Sequence, residues 1–283
     1  MVVGSLMLYL GLRVAKANQL STSDQFIGQF FISGLFNIAY MLILGVRFLI
    51  PWWQIGLIFV STLLVVFTSN KASLKALEAA PNPGMSLAIQ KSYVVLTTLF
   101  AVVAQGKELT PIKAGAIVMI VLFSLLIASE DKTTNKIVQD KRKWLIFSLL
   151  AFFGFGVLSL VETHYVKVIG INSLVLTFYV RLIILPIELI NRKRKAQSFS
   201  FKHLGKLKPL IILITIGLGH FIFNYCMKEG YRTAPNPGYV SAVNLASIGL
   251  VTLLSVVLFK DKITKTRMLG IVGVIVSLAF LYF

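Results

Sequence analysis

Two cations stand in stretches that are otherwise hydrocarbon-like. Lys91 and Arg181 each lie about nine or ten residues inside a long apolar run. At 1.5 Å of helical rise per residue, nine residues is about 13 Å, close to the middle of a membrane-spanning helix. Ionisable groups at that depth cost several kcal/mol, so by default they mark function. The arginine fork binds a carboxylate or phosphate through two parallel hydrogen bonds, whereas lysine acts as a point charge. Two such cations suit an anion, or the carboxylate of a zwitterion. The competing reading is that Lys91 and Arg181 pair with Glu162, Glu188 or Glu229, or with backbone carbonyls, and only hold helices together.

Further polar side chains fall in the same runs. The amides Gln90, Asn244, Asn70 and Asn224 either line a cavity or hydrogen-bond across helices. Tyr93, Tyr179 and Tyr225 either cap a substrate or pack. Glu162, Glu188 and His164 are candidates for a coupling proton or an ion pair. For His164 an interfacial position, with the ring among headgroups, is the simpler reading. Other chemistry has little footing. There is no Ser/His/Asp or HExxH spacing and no Gly-rich lysine loop, so neither hydrolysis nor ATPase activity is expected, and the chain does not read as an enzyme. One cysteine, Cys226, excludes an internal disulfide, and three scattered histidines give no metal motif; no cofactor is implied.

The elements that must position these residues follow from hydropathy. Hydrophobic residues make up 57% of the chain and charged residues 13%, against roughly 25% charged in soluble domains. Mean hydropathy is +0.85. Runs of spanning length recur throughout, which predicts an all-α membrane protein with ten transmembrane helices near 1–17, 26–50, 53–77, 82–104, 113–128, 144–168, 171–191, 209–231, 236–259 and 267–283. Polar loops are expected at 129–143 and 192–208. The net charge of +18 fits basic loops between spans better than nucleic-acid binding.

Residues 80–84 read Ala-Pro-Asn-Pro-Gly, and residues 234–238 repeat them 154 positions later. Proline cannot continue a helix, so Pro81 and Pro235 end one. Asn82 and Asn236 are suited to cap the next, with Pro83 and Pro237 at its first position. At the same offset Ala88/Ala242, Leu96/Leu250, Thr98/Thr252, Leu99/Leu253, Val102/Val256, Val103/Val257 and Thr110/Thr264 are identical. Asn70 matches Asn224, and Gln90 aligns with Asn244. The chain is thus expected to hold two five-helix repeats, 1–128 and 144–283, joined by the charged segment 129–143. Five spans is an odd number, so the second copy would be inserted upside down, as in many secondary transporters. Twenty of the 28 Lys and Arg residues fall on one face of this arrangement, which predicts a cytoplasmic face opposite to both termini.

With these features the chain resembles the drug/metabolite transporter superfamily, in particular its EamA-type members. The resemblance covers essentially the whole chain. It rests on the paired repeats, the Pro-Gly entry to spans 4 and 9, and the short turns Gly106-Lys107-Glu108-Leu109-Thr110 and Lys260-Asp261-Lys262-Ile263-Thr264. In the family a Gly-Glu pair is usual there; here Lys107 separates the pair in the first turn and Asp261 replaces the acid in the second. The resemblance implies ten helices in two inverted repeats, and termini in the cytoplasm, opposite to the charge count.

The resulting expectation is a secondary active transporter of a small polar metabolite, anionic or zwitterionic, working by alternating access in the plasma (inner) membrane. Its partners would be the lipid bilayer, the substrate, and protons or a counter-substrate. Two alternatives compete. One is an exporter of cationic or amphipathic drugs using Glu162 or Glu188. The other is a non-transporting scaffold or lipid-handling protein.

Overall fold

The computed structural model describes residues 1–20, 22–79, 83–129, 141–194, 206–259 and 264–280. Within them the chain is all helical. The α-helices are α1 (Val2–Ala17), α2 (Thr22–Phe26), α3 (Ser33–Ile43), α4 (Trp52–Ser61), α5 (Phe67–Ala79), α6 (Pro83–Lys91) and α7 (Val94–Gln105). They continue as α8 (Pro111–Ser129), α9 (Lys141–Thr163), α10 (Ser173–Arg194), α11 (Leu207–Thr233), α12 (Pro237–Phe259) and α13 (Lys265–Phe280). Wider π-helical turns occupy Ile27–Ile32, Thr62–Val66 and His164–Val168. Among the described residues six helical segments are long and apolar enough to cross a membrane: Asp24–Ile43, Trp52–Ser73, Ser86–Gln105, Arg142–Val168, Ser173–Ile190 and Leu207–Thr233. Their outward side chains, such as Leu64, Val103, Leu149 and Phe153, are apolar and exposed, as lipid contact requires.

Helix ends follow the local chemistry. The helix expected to reach residue 50 stops at Ile43, because Gly45 takes a left-handed conformation (φ 64°) that turns the chain, and Pro51 then opens α4. Gly106 ends α7 in the same way (φ 61°). Pro83 and Pro237 stand at the first position of α6 and α12, as the duplicated motif predicts. In the second copy Asn236 is fully buried, and its Oδ1 accepts the Gly238 N–H at 2.8 Å, so the side chain caps α12. Ala80, Pro81 and Asn82 lie outside the described residues, as do most of the two polar loops and the turn at 260–263.

The helices gather into two compact units, and each takes segments from both halves of the sequence. The first comprises Met1–Leu63 and Tyr165–Glu229; the second comprises Leu64–His164 and Gly230–Phe283. The chain passes between units at Leu63/Leu64 and His164/Tyr165, both inside π-helical turns, and at Glu229/Gly230 beside a glycine.

The core of the first unit is Leu8, Ala15, Leu20, Ile32, Ile212, Leu213 and Ile216. That of the second centres on Val94, Ala116, Ile117, Ile120, Leu245, Ile271 and Val274. In the second unit α12 starts directly against α7. A Cβ added at Gly238 would stand 2.9 Å from the Thr98 Cα and overlap its hydroxyl. Backbone cannot step aside as a flexible side chain can. Gly238→Leu is therefore expected to lower stability by about 1–3 kcal/mol, read as a fall in thermal unfolding temperature in detergent.

Candidate functional site

Three of the sequence-predicted polar residues, Lys91, Tyr93 and Asn244, meet in the second unit. The helix carrying Lys91 and Tyr93 is interrupted: α6 ends at Lys91, α7 begins at Val94, and Ser92 and Tyr93 form the turn between. The Tyr93 N–H reaches back only to the Gln90 carbonyl (3.3 Å) and the Val95 N–H only to that of Ser92 (3.0 Å). Tightened i to i−3 bonds thus replace the regular ladder for one turn. The Ser92 hydroxyl donates to the Ala88 carbonyl at 2.7 Å and supports the bend.

Lys91 is buried (7% exposed). Its Nζ donates to Asn244 Oδ1 at 3.2 Å and approaches the Asn244 carbonyl at 3.5 Å. The other end of the Asn244 amide donates to Tyr93 Oη at 3.2 Å. The Tyr93 hydroxyl continues to that of Tyr231 (3.5 Å), and Tyr231 to Ser241 Oγ (3.5 Å). One buried amide therefore joins the ammonium to a chain of hydroxyls. Buried Glu162 lies within electrostatic reach of both tyrosines.

Gln90 faces a second polar group. Its Oε1 accepts from Ser73 Oγ at 2.6 Å, its Nε2 donates to Ser86 Oγ at 2.9 Å, and Ser86 meets Ser148 at 3.0 Å. Gln90 and Asn244 thus make the cross-helix bonds that sequence reading weighed against cavity lining. The other matched pair behaves differently. Asn70 Nδ2 donates to the Val66 carbonyl at 2.7 Å, and Asn224 Nδ2 donates to the His220 carbonyl at 2.8 Å. The two copies make the same bond, four residues back within their own helix. His164 is exposed at the start of its π-helical turn.

Arg181 belongs to the first unit, with Tyr179, Asn224 and Glu188. It sits on α10 and is 4% exposed. Its Nε, Nη1 and Nη2 have no hydrogen-bond acceptor among the described residues. Its Cδ lies beside Gly34 of α3, where an added Cβ would stand 3.8 Å away. His220 of α11 is within electrostatic reach of both Arg181 and Lys228. The His220 Nδ1 is 3.2 Å from Ser33 Oγ, and its ring stands edge-on to Phe30 at 5.2 Å. Tyr179 Oη donates to the Phe48 carbonyl at 3.2 Å, while the Tyr225 ring packs on Tyr40 and Phe221. Glu188 is half-buried two turns further along α10.

Sequence reading did not single out Tyr231, Ser73 or Ser148. Each is a common residue in a helix, and nothing local marks it as facing a polar partner. The buried Asn37, which donates to the Leu174 carbonyl at 3.1 Å and so ties α3 to α10, was equally silent.

The sequence matches no family model and no curated protein. In fold the chain is similar to a protein of known crystal structure: the two superpose with a TM-score of 0.78 over 98% of this chain and 94% of that one, at 16% identity. That likeness is one of fold.

Proposed function

We propose that the protein is a secondary transporter of a small polar metabolite, anionic or zwitterionic, related in architecture to the EamA-type drug/metabolite transporters. The observation that carries this reading is the interrupted helix at Ser92–Tyr93. It breaks the helical run Pro83–Gln105, with nine residues before it and twelve after, and Lys91 and Tyr93 stand at the break. Transporters bind substrate at broken helices near mid-depth, and loosened backbone at membrane depth is tolerated where it is buried in protein or lines a cavity, with buried charge there marking a functional site by default.

Further support comes from the wider chain. Four shorter apolar helices (Val2–Ala15, Pro111–Ile127, Pro237–Val251 and Met268–Phe280) accompany the six long ones, in keeping with ten spans. The duplicated motif and its matched residues favour two inverted repeats. Alternating access needs bodies that move as wholes, and π-helical turns at two of the passages between units are natural places for a helix to flex. On this reading the protein spans the plasma (inner) membrane several times.

The test is uptake into proteoliposomes. Wild-type protein is expected to accumulate at least one labelled amino acid or organic acid above empty vesicles, and Lys91→Met to reduce that rate at least about tenfold, the loss of one charge-assisted contact of about 1.5–3 kcal/mol. Circular dichroism checks that the variant remains helical. Uptake of none of these solutes by wild type would refute the reading.

A further inference from the structure

We infer that Arg181 is the seat of a monoanionic carboxylate supplied by a soluble ligand; within the transporter reading, on which the word substrate rests, this is the substrate's acid group. Arginine keeps its charge in proteins. Burying that charge without a partner costs several kcal/mol, so buried guanidinium groups are paired. Among the described residues Arg181 is not: it is 4% exposed, and none of its three nitrogens meets an acceptor. The carboxylates of its own unit, Asp24, Glu188 and Glu229, accept nothing from it.

The surroundings sharpen the ligand's charge and shape. His220, which reaches Ser33 at 3.2 Å, lies within electrostatic reach of Arg181 in the same unit, and among the described residues no carboxylate is hydrogen-bonded to the guanidinium there. Gly34 presents no side chain over the arginine stem. Arg181 lies at the centre of the apolar segment Ser173–Ile190, with eight residues before it and nine after, far from headgroup depth at either end. That position argues against a lipid phosphate. One unpaired guanidinium balances one negative charge, and its planar fork matches a carboxylate. Lys91 differs in this respect, since its ammonium already has the Asn244 side chain as acceptor.

The experiment uses the purified full-length protein in a nonionic detergent. Thermal unfolding is followed with sodium acetate, pyruvate, succinate, glutamate and benzoate, with acetamide and benzamide as neutral counterparts, and with inorganic phosphate, all at matched ionic strength. At least one carboxylate is expected to raise the unfolding temperature of wild type, since a ligand of the native state stabilises it. Its amide should not. Arg181→Met should weaken that carboxylate at least about tenfold, and Arg181→Lys should restore part of the affinity.

Ligand-free stability supplies a second readout. Removing an unpaired buried charge is expected to raise the unfolding temperature of Arg181→Met, whereas removing a structural tie lowers it. The proposal is overturned if no carboxylate stabilises wild type, if phosphate alone does, if Arg181→Met binds unchanged, or if that variant is less stable without ligand. Binding in detergent is independent of uptake. Binding that depends on Arg181 in a protein that transports nothing would sink the transporter reading and leave this site standing.

Discussion

Asn244→Leu is expected to destabilise the protein by about 2–4 kcal/mol, measured as a fall in thermal or denaturant stability in detergent. The substitution takes away the Oδ1 that accepts from the Lys91 ammonium at 3.2 Å and the Nδ2 that donates to Tyr93 at 3.2 Å. Lys91 is 7% exposed, so water does not replace the lost acceptor at full strength. Hydrogen bonds to charged groups contribute about 1.5–3 kcal/mol, and a buried charge that loses one also bears its own desolvation. Lys91→Met in the same background removes the charge that Asn244 serves. The double variant is therefore expected to recover at least about 1 kcal/mol relative to Asn244→Leu alone. Additive effects in that cycle would mean that the two residues do not depend on one another.

The same pair shows how far the site could be read in advance. That Lys91 and Arg181 are buried followed from hydropathy, because an apolar run of spanning length has nowhere wet to place a mid-run cation. Whether each is paired did not follow, since the answer depends on which helix lies alongside. The aligned amides Gln90 and Asn244 illustrate the limit. They occupy corresponding places in the two halves, yet one meets serines and the other meets Lys91 and Tyr93. Symmetry of sequence gives corresponding positions and does not give corresponding neighbours. Asn70 and Asn224, whose bonds are local, do match.

Helix boundaries were more legible, because proline and glycine act through their own backbone. Pro83, Pro237 and the Asn236 cap stand where the repeated pentapeptide implied. Gly45 shortened a helix that hydropathy alone extended to residue 50. The π-helical turns left no trace in the sequence. Ile27–Ile32 and Thr62–Val66 are apolar stretches with ordinary helix formers and β-branched residues, and one extra residue per turn changes no hydropathy pattern. The two compact units were equally hidden, since the repeated pentapeptide suggests a division of the chain near its midpoint, whereas each unit takes segments from both halves of the sequence.

Glycines in the first unit carry the other large expected effect. A Cβ at Gly219 would stand 2.6 Å from the Leu8 backbone nitrogen and 2.9 Å from the Gly4 carbonyl oxygen. A Cβ at Gly4 would stand 2.5 Å from the Phe223 nitrogen and 2.9 Å from the Gly219 oxygen. The backbones of α1 and α11 are therefore in mutual contact, as small residues permit between helices in a bilayer. Gly219→Ala must push two helices apart, and a cost of about 3 kcal/mol is expected despite the roughly 1 kcal/mol that alanine gains in helix propensity. Gly11 provides a milder case, because its nearest neighbour is side chain and not backbone: the Ile216 Cγ1 lies 2.8 Å from an added Cβ, whereas the closest backbone atom is at 3.6 Å. A buried, β-branched isoleucine gives way less readily than a side-chain tip but more readily than backbone, so Gly11→Ala is expected to cost about 1–2 kcal/mol, less than Gly219→Ala. Thermal unfolding of the two variants side by side tests the packing directly: equal losses would mean that α1 and α11 do not meet backbone to backbone at Gly219.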